Sequence, residues 1–315
     1  MRYDYTSIGF ITFDALARPV TQIPPNADTY FVEEITLAVS GAAGTAVIAA
    51  AKMGLKSLAV GGVGEDLMGE WVLRRLADFG VDASGMAVIP GGKTSSSLVT
   101  TRPNGMRPAL HLRGATADFL VDDALLEQAT DATVVHIGGV GLMDRMDRGR
   151  NAELMKRARE KGARTTLDVF AATPADMAKV ADVLPHVDFF MPSDEEAKAL
   201  TGLEDIDDTA RFFLDKGVGA CVLTRGAEGA YYRDQAGARF EIPAFDIKVV
   251  CTCGCGDAFN AGFAVSLVKG FDMETAVRFA QATSALNATG LGSQAGVIDF
   301  DHTLRFMTET PTRKK

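Results

Sequence analysis

The sequence predicts an α/β fold: a mostly parallel β-sheet covered by helices on both faces, a three-layer sandwich, with a small β flap at one edge. Three observations carry that reading. Short apolar runs of strand length alternate with stretches of helical periodicity along most of the chain. Two β-prone stretches alone break the alternation. No charged or low-complexity linker and no internal repeat divides the 315 residues. Strand-helix-strand order needs crossovers, and crossovers leave parallel strands with helices lying on the sheet.

Residues 7–13 read as the first strand and 44–53 as a helix. Residues 57–60 read as a short strand running into a glycine loop. Residues 67–79 carry Leu67, Trp71, Leu73, Leu76 and Phe79 at helical spacing. Later strands are expected at 133–137, 164–168, 187–191 and 220–224, separated by helices at 151–161, 174–184, 194–200 and 207–216. The exceptions lie around Pro24-Pro25 and around Pro103-Asn104-Gly105, the second reading as a hairpin with Asn104-Gly105 at its turn. Neither stretch builds a core alone. Together they are expected to form the flap, about residues 15–39 and 94–112, of a single domain over 1–315.

A hydrophobic content of 47% is enough for one large core or two modest ones. The net charge of -9 argues against a nucleic acid partner, although a local nest of backbone amides still suits a small anion. The N-terminus lacks the order of a signal peptide and no apolar run is long enough to span a membrane, so a cytoplasmic protein is expected. Three of the four cysteines form Cys251-Thr252-Cys253-Gly254-Cys255, without the second pair a zinc site needs. Small packing residues are the favoured reading, with a metal clip or a redox switch as alternatives. Cys255 stands apart: a helix N-terminus lowers a thiol pKa, so inactivation by mild peroxide is expected.

The chemistry concentrates at Gly254-Cys255-Gly256-Asp257, ahead of the apolar run from Ala258 to Val265. Two glycines let successive amides turn into one hollow, and the helix behind them adds partial positive charge. Asp257 stands at the rim, where it can take a proton from a hydroxyl attacking a phosphorus atom. A second glycine-rich segment, Gly61 to Gly69, also enters a helix.

Together with Ser40-Gly41-Ala42-Ala43-Gly44-Thr45, Pro192-Ser193-Asp194-Glu195-Glu196-Ala197 and Thr224-Arg225-Gly226-Ala227-Glu228-Gly229, these segments resemble the ribokinase-like (PfkB) family of carbohydrate and nucleoside kinases, from about Ile8 to Val297. The resemblance implies ATP-dependent phosphoryl transfer to a hydroxyl. It implies Asp257 as base and the amides of Gly254, Cys255 and Gly256 as anion hole. Asp14, Gly41 and Thr45 would hold the substrate. Ser193, Thr224, Gly226 and Gly229 would line the ATP site, and Glu196 would help hold Mg2+. The flap would be a lid that also makes a homodimer.

The sequence departs from the family pattern at Ser40, Thr45, Ser193, Cys251, Cys253 and Cys255. The acid that often helps bind a monovalent cation is Cys251, which puts activation by potassium (K+) in question. A neutral small sugar is the first expected substrate. A nucleoside is second, because Thr45 with Ile11, Phe13 and Phe31 could suit a base. A sugar acid (2-keto-3-deoxygluconate-like) is third, through Arg102, Arg107 and Arg113. A non-catalytic sugar- or nucleotide-binding sensor is the alternative of another class, opposed by retention of Asp257 and its glycines. Two segments are set aside. Gly91-Gly92-Lys93-Thr94 lacks the first glycine and the helix of a P-loop. Gly290 to Ala295 follows a helix, not the strand a dinucleotide fingerprint needs. His111 and Asp168 each have a structural reading beside a functional one.

Overall fold

The structure, a computed structural model, describes residues 1–170 and 172–314; Ala171 and Lys315, both inside the domain expected over 1–315, lie outside the described residues. The chain runs through β1 (Tyr3–Gly9), β2 (Thr12–Arg18), β3 (Glu34–Ser40), α1 (Ala42–Lys52), β4 (Ser57–Gly64), α2 (Leu67–Asp78), β5 (Asp82–Ile89), β6 (Ser96–Thr100), β7 (Ala109–Leu112), α3 (Ala115–Asp118) and α4 (Asp123–Ala129). It continues through β8 (Ala132–Val140), α5 (Arg150–Glu160), β9 (Arg164–Val169), α6 (Met177–Val180), β10 (Phe189–Phe190), α7 (Asp194–Thr201), α8 (Ile206–Asp215), β11 (Ala220–Thr224), β12 (Ala230–Asp234) and β13 (Arg239–Ile242). Helices α9 (Cys255–Lys269), α10 (Met273–Asn287) and α11 (Phe300–Glu309) complete it.

Nine strands form one sheet in the order β13-β12-β11-β10-β9-β8-β1-β4-β5. Its pairs from β5 to β11 are parallel, and β12 and β13 close one edge antiparallel. From β1 the chain builds outward to β4 and β5; from β8 it builds the other way. The switch in direction between β1 and β8 opens a crevice at the carboxyl ends of these strands. Val134 of β8 packs with Tyr5, Ala46, Ala261 and Phe279 under α1, α9 and α10, whereas Val135 and Ile137 pack with Leu154, Ala197 and Phe213 under α5, α7 and α8. That alternation makes the three layers.

A second sheet of four strands, in the order β3-β2-β6-β7, forms the flap. β2 and β6 are parallel and the outer pairs antiparallel. The expected hairpin turn is present: the Gly105 amide donates to Arg102 O at 2.9 Å and the Arg102 amide to Met106 O at 2.7 Å. The flap's inner face, Leu16, Ala38 and Val99, packs on Cys251, Cys253 and Leu291.

Four expectations change. Residues 7–13 are not one strand: the chain leaves the large sheet after Gly9, the Phe10 amide bonds Gly138 O at 3.0 Å, and Thr12 starts the flap. Both strands are largely buried, so the apolar run does not register the change of sheet. The strand expected at 57–60 extends through the glycines to Gly64, buried throughout as a strand covered on both faces must be. The helix expected over 174–184 is broken into a 3-10 turn at Pro174–Asp176, the short α6 and a second 3-10 turn at Leu184–His186, where Pro185 supplies no amide. The strand expected at 187–191 pairs only at Phe189–Phe190.

Candidate active site

Two helix N-termini meet beside the crevice, and α1 packs along α9. α1 follows Gly41, whose φ is 80° and whose added Cβ would lie 2.5 Å from Phe10 O. α9 follows Gly254, with φ 72°, where a Cβ would meet Ser293 Oγ at 2.8 Å and Thr45 Cγ2 at 2.9 Å. Both positions therefore demand glycine, for conformation and for space.

The first turn of α9 is open. Cys255 N makes one long bond, 3.4 Å to Thr252 O, and Ala258 N is the first to bond back into the helix, to Gly254 O at 2.8 Å. Among the described residues nothing accepts from the amides of Gly254, Gly256 or Asp257. These donors at the positive end of a fifteen-residue helix form a seat for an anion.

Asp257 stands in that turn. Burial pushes its carboxyl up to about 6; the Arg107 guanidinium pulls it down, Glu196 pushes it up, and the Thr45 hydroxyl facing it pulls it down. Thr45 Oγ1 is buried and has no hydrogen-bond partner of its own at bonding distance. A carboxylate that titrates just below neutrality suits a general base.

Ser193 and Glu196 cap α7 reciprocally. Ser193 N and Oγ donate to Glu196 Oε2 at 3.0 and 2.6 Å, and Glu196 N donates to Ser193 Oγ at 3.2 Å. Glu196 Oε1 receives no hydrogen bond among the described residues, and burial raises this carboxyl above its ordinary range. Ser193 bridges in parallel to Thr224, whose amide donates to Pro192 O at 3.1 Å. The turn beyond, with Gly226 and Gly229, is closed by Arg225 N to Gly229 O at 2.8 Å. The residues expected at a nucleotide and a metal thus share one neighbourhood, and Glu196 acts on Asp257 through charge.

Asp14 lies on the flap's inner face, buried. Thr12 Oγ1 donates to its Oδ1 at 2.8 Å, and Ser97 and Ser40 hydroxyls also face it. His111 is beside it, hydrogen-bonded through Nδ1 to Ser97 Oγ at 3.1 Å, its ring edge-on to Phe10 at 5.2 Å.

Residues 6–299 match the pfkB family carbohydrate kinases. The chain belongs to that family. It is 26% identical over 325 residues to a ribokinase of Haemophilus influenzae, covering 98% of this chain and 99% of that one. It is 29% identical over 274 residues to fructokinase-1 of Oryza sativa subsp. japonica, covering 81% and 84%. The structure of Arabidopsis thaliana ribokinase complexed with ribose and ATP superposes with a TM-score of 0.83 over 98% of this chain and 99% of that one, at 23% identity, and so shares its fold. The protein is thus a ribokinase-like phosphotransferase with an alcohol group as acceptor.

In this kinase Arg107 is the residue that sequence reasoning undervalued. It follows the flap's hairpin turn, and its Nε donates to Thr252 O at 3.2 Å. Thr252 in turn holds the hairpin, its N and Oγ1 both donating to Gly105 O at 3.1 Å. The guanidinium makes no ion pair among the described residues, and its charge lowers the pKa of both Asp257 and Glu196. Arg113, expected at the substrate, instead bonds Leu142 O at 2.6 Å and Asp144 at 2.8 Å. Asp168 accepts from Asn260 Nδ2 at 3.0 Å, and burial with the charges of Glu196 and Asp257 holds its carboxyl well above the ordinary range.

The reactive-thiol expectation is overturned. Burial pushes the Cys255 thiol up to about 11, against the helix effect, and Asn287 Nδ2 contacts its Sγ at 3.4 Å. Cys251 and Cys253 are core residues beneath the flap. Among the described residues no three His, Cys, Asp or Glu side chains cluster to hold a metal. Of the segments set aside, Thr94 serves α2: its Oγ1 donates to the capping Asp66 at 2.6 Å.

Proposed function

We propose that the protein phosphorylates a hydroxyl of a small neutral sugar with ATP as donor. The observation that carries this is the open first turn of α9, with Asp257 in it and Asp14 on the flap opposite. Asp14, Gly41 and Thr45 hold the sugar. Thr224, Gly226 and Gly229, with the segment that Ser193 starts, line the ATP site. Asp257 takes the proton as the sugar oxygen attacks the γ-phosphorus; that P–O bond forms as the bond to ADP breaks. The amides of Gly254, Cys255 and Gly256 receive the transferred charge, each such donor being worth roughly 3–4 kcal/mol in the transition state. Mg2+ shields charge between the β- and γ-phosphates when bound. Glu196 Oε1, the carboxylate oxygen not spent on the cap, fits an ion that keeps waters and phosphates as its other ligands. Cys251 offers no carboxylate to a monovalent cation, so we propose activity without K+.

Three observations favour a neutral sugar. Arg113 is paired with Asp144, Arg102 donates to Val20 O at 2.9 Å, and Arg107 faces the phosphoryl seat, which leaves no arginine for a sugar acid. Ile11 is in the core and Phe13 packs on Trp71 at 5.1 Å, which removes the apolar wall expected for a base. Phe31 is exposed. ADP release with a panel of sugars, sugar acids and nucleosides tests the reading: turnover only with a nucleoside or a sugar acid rejects it, and ligand binding without turnover favours the sensor.

We further propose a homodimer through the flap, in a cytoplasmic setting that suits ATP and four free cysteines. Ile35, Leu37, Leu98, Leu110 and Leu112 leave the flap's outer face apolar and exposed. Light scattering should give a dimer for wild type and a monomer for Leu110→Asp; a monomeric wild type rejects this.

A further inference from the structure

Gln294 is buried and adopts φ 62°, a left-handed conformation that a non-glycine residue holds only when its surroundings enforce it. Its amide, its carbonyl and its side-chain nitrogen are all engaged. Its amide donates to Asn287 Oδ1 at 2.6 Å, its Nε2 donates to Val39 O at 2.9 Å, and its carbonyl accepts from Lys52 Nζ at 3.0 Å. Val39 lies near the end of β3, where the strand's last residue, Ser40, leads through Gly41 into α1. The same junction is held a second time, Ser40 Oγ to Ser293 Oγ at 2.8 Å.

Asn287, fully buried at the end of α10, continues the line. Its Nδ2 donates to Cys253 O at 2.7 Å and lies 3.4 Å from Cys255 Sγ. These atoms flank Gly254 and set the peptide planes whose amides are left open at the start of α9. A path of short hydrogen bonds thus runs from the hinge of the flap to the anion seat, with no step through solvent.

We propose that Gln294 and Asn287 are positioning residues that tie the hinge of the flap to the open amides of α9, so that closing the flap over the acceptor alcohol and shaping the seat for the phosphoryl group are one event. This rests on the kinase reading above. Glycine at 294 relieves the left-handed φ and keeps the three backbone bonds, to Asn287, Lys52 and Val297; only the reach to Val39 is lost. A residue with a merely structural role predicts a change in stability with full activity. A positioning residue predicts something else.

The experiment is Gln294→Gly in the full chain. The melting temperature should hold or rise. Amide hydrogen exchange over residues 258–261, the first amides of α9 that have acceptors, should quicken about tenfold, and kcat should fall about tenfold with KM for ATP nearly unchanged. Asn287→Asp keeps the acceptor for Gln294 N but loses the donor to Cys253 O, and it should lose as much kcat as Asn287→Ala. Unchanged exchange over 258–261 in Gln294→Gly overturns the proposal whether or not the wild type turns over any sugar. So does wild-type kcat in Gln294→Gly or Asn287→Asp. Absence of turnover by the wild type, with exchange altered as expected, sinks only the kinase reading.

Discussion

The N-termini of α1 and α9 lie side by side, each after a left-handed glycine and each without a side-chain cap, yet their amides have opposite fates. In α1 the amides of Ala43 and Gly44 bond Phe10 O at 3.0 and 3.4 Å. In α9 the corresponding turn stays open. Side chains cap α2, α4, α7, α8, α10 and α11, through Asp66, Asp122, Ser193, Asp205, Asp272 and Asp299. Six helices are thus closed by a side chain, whereas α5, like α9, follows a left-handed glycine, Gly149, without one. α1 is closed by backbone and serves as a wall of the site; α9 is left for water until an anion replaces it.

The comparison breaks most plainly at Asp257, the acid that α1 has no counterpart for. Asp257→Asn should lower kcat by roughly 10²–10⁴ while sugar and ATP binding persist. In the wild type, kcat should decline as pH falls through about 6, where the base takes up a proton. Stability moves in the opposite sense. The folded-state pKa lies above that of an unfolded aspartate, so ionising Asp257 destabilises the protein as pH climbs from the ordinary carboxylate range through about 6. Asp257→Asn should therefore melt higher than wild type at pH 7 and lose that advantage at pH 4. Full activity in this variant would remove Asp257 as the base.

Glycine-to-alanine variants at the two caps sharpen the contrast. At Gly254 the new methyl meets Ser293 Oγ and Thr45 Cγ2, and the left-handed turn that aims the free amides is strained. Misaimed donors should lower kcat by about 10²–10³. At Gly41 the clash is with the Phe10 backbone, and the α1 amides already have their acceptor. Gly41→Ala should show itself in melting temperature and in KM for the sugar, with kcat affected less than in Gly254→Ala. Equal loss of kcat in both would mean that the open turn has no special part.

Arg107→Met should have a smaller effect, a decrease in kcat of about tenfold. It carries a distinct signature. Arg107 lowers the pKa of Asp257, so its removal should move the acid limb of the kcat profile to higher pH. An unmoved limb would separate Arg107 from the base.

Arg107 also marks where the sequence stops being informative. The open turn itself was legible at Gly254 to Asp257, because a glycine turn, a helix start and an acid are adjacent in the chain, whereas Glu196 entered only through the resemblance of Pro192 to Ala197 to the family's segment. Arg107 reaches the seat only because the flap's hairpin docks on Thr252, a contact between residues 145 apart in the chain. The sheets were legible from alternation, but the break at Phe10 was not: β1 is almost wholly buried and the start of β2 has no exposed residue, so a strand-like run continues across the change of sheet. The helix expected at 174–184 is broken up where Pro174 and Pro185, which supply no amide, stand at the start of 3-10 turns. The partners of Arg113 and of Gln294 are tertiary contacts, and no local pattern announces them.

The smallest effect expected is at Cys255, and it bears on the same open turn. The helix end favours a thiolate, but burial wins, holding the thiol near 11 and leaving almost none ionised at neutral pH. In the proposed reading the anion seat uses the Cys255 amide, which does not depend on the side chain. Cys255→Ser should keep kcat within about twofold of wild type, since serine retains a partner for Asn287. Mild peroxide should leave wild-type activity unchanged over the time in which an exposed low-pKa thiol is consumed. Rapid inactivation that ATP prevents, and that Cys255→Ser abolishes, would show that the electrostatics of the open helix end outweigh burial at this position.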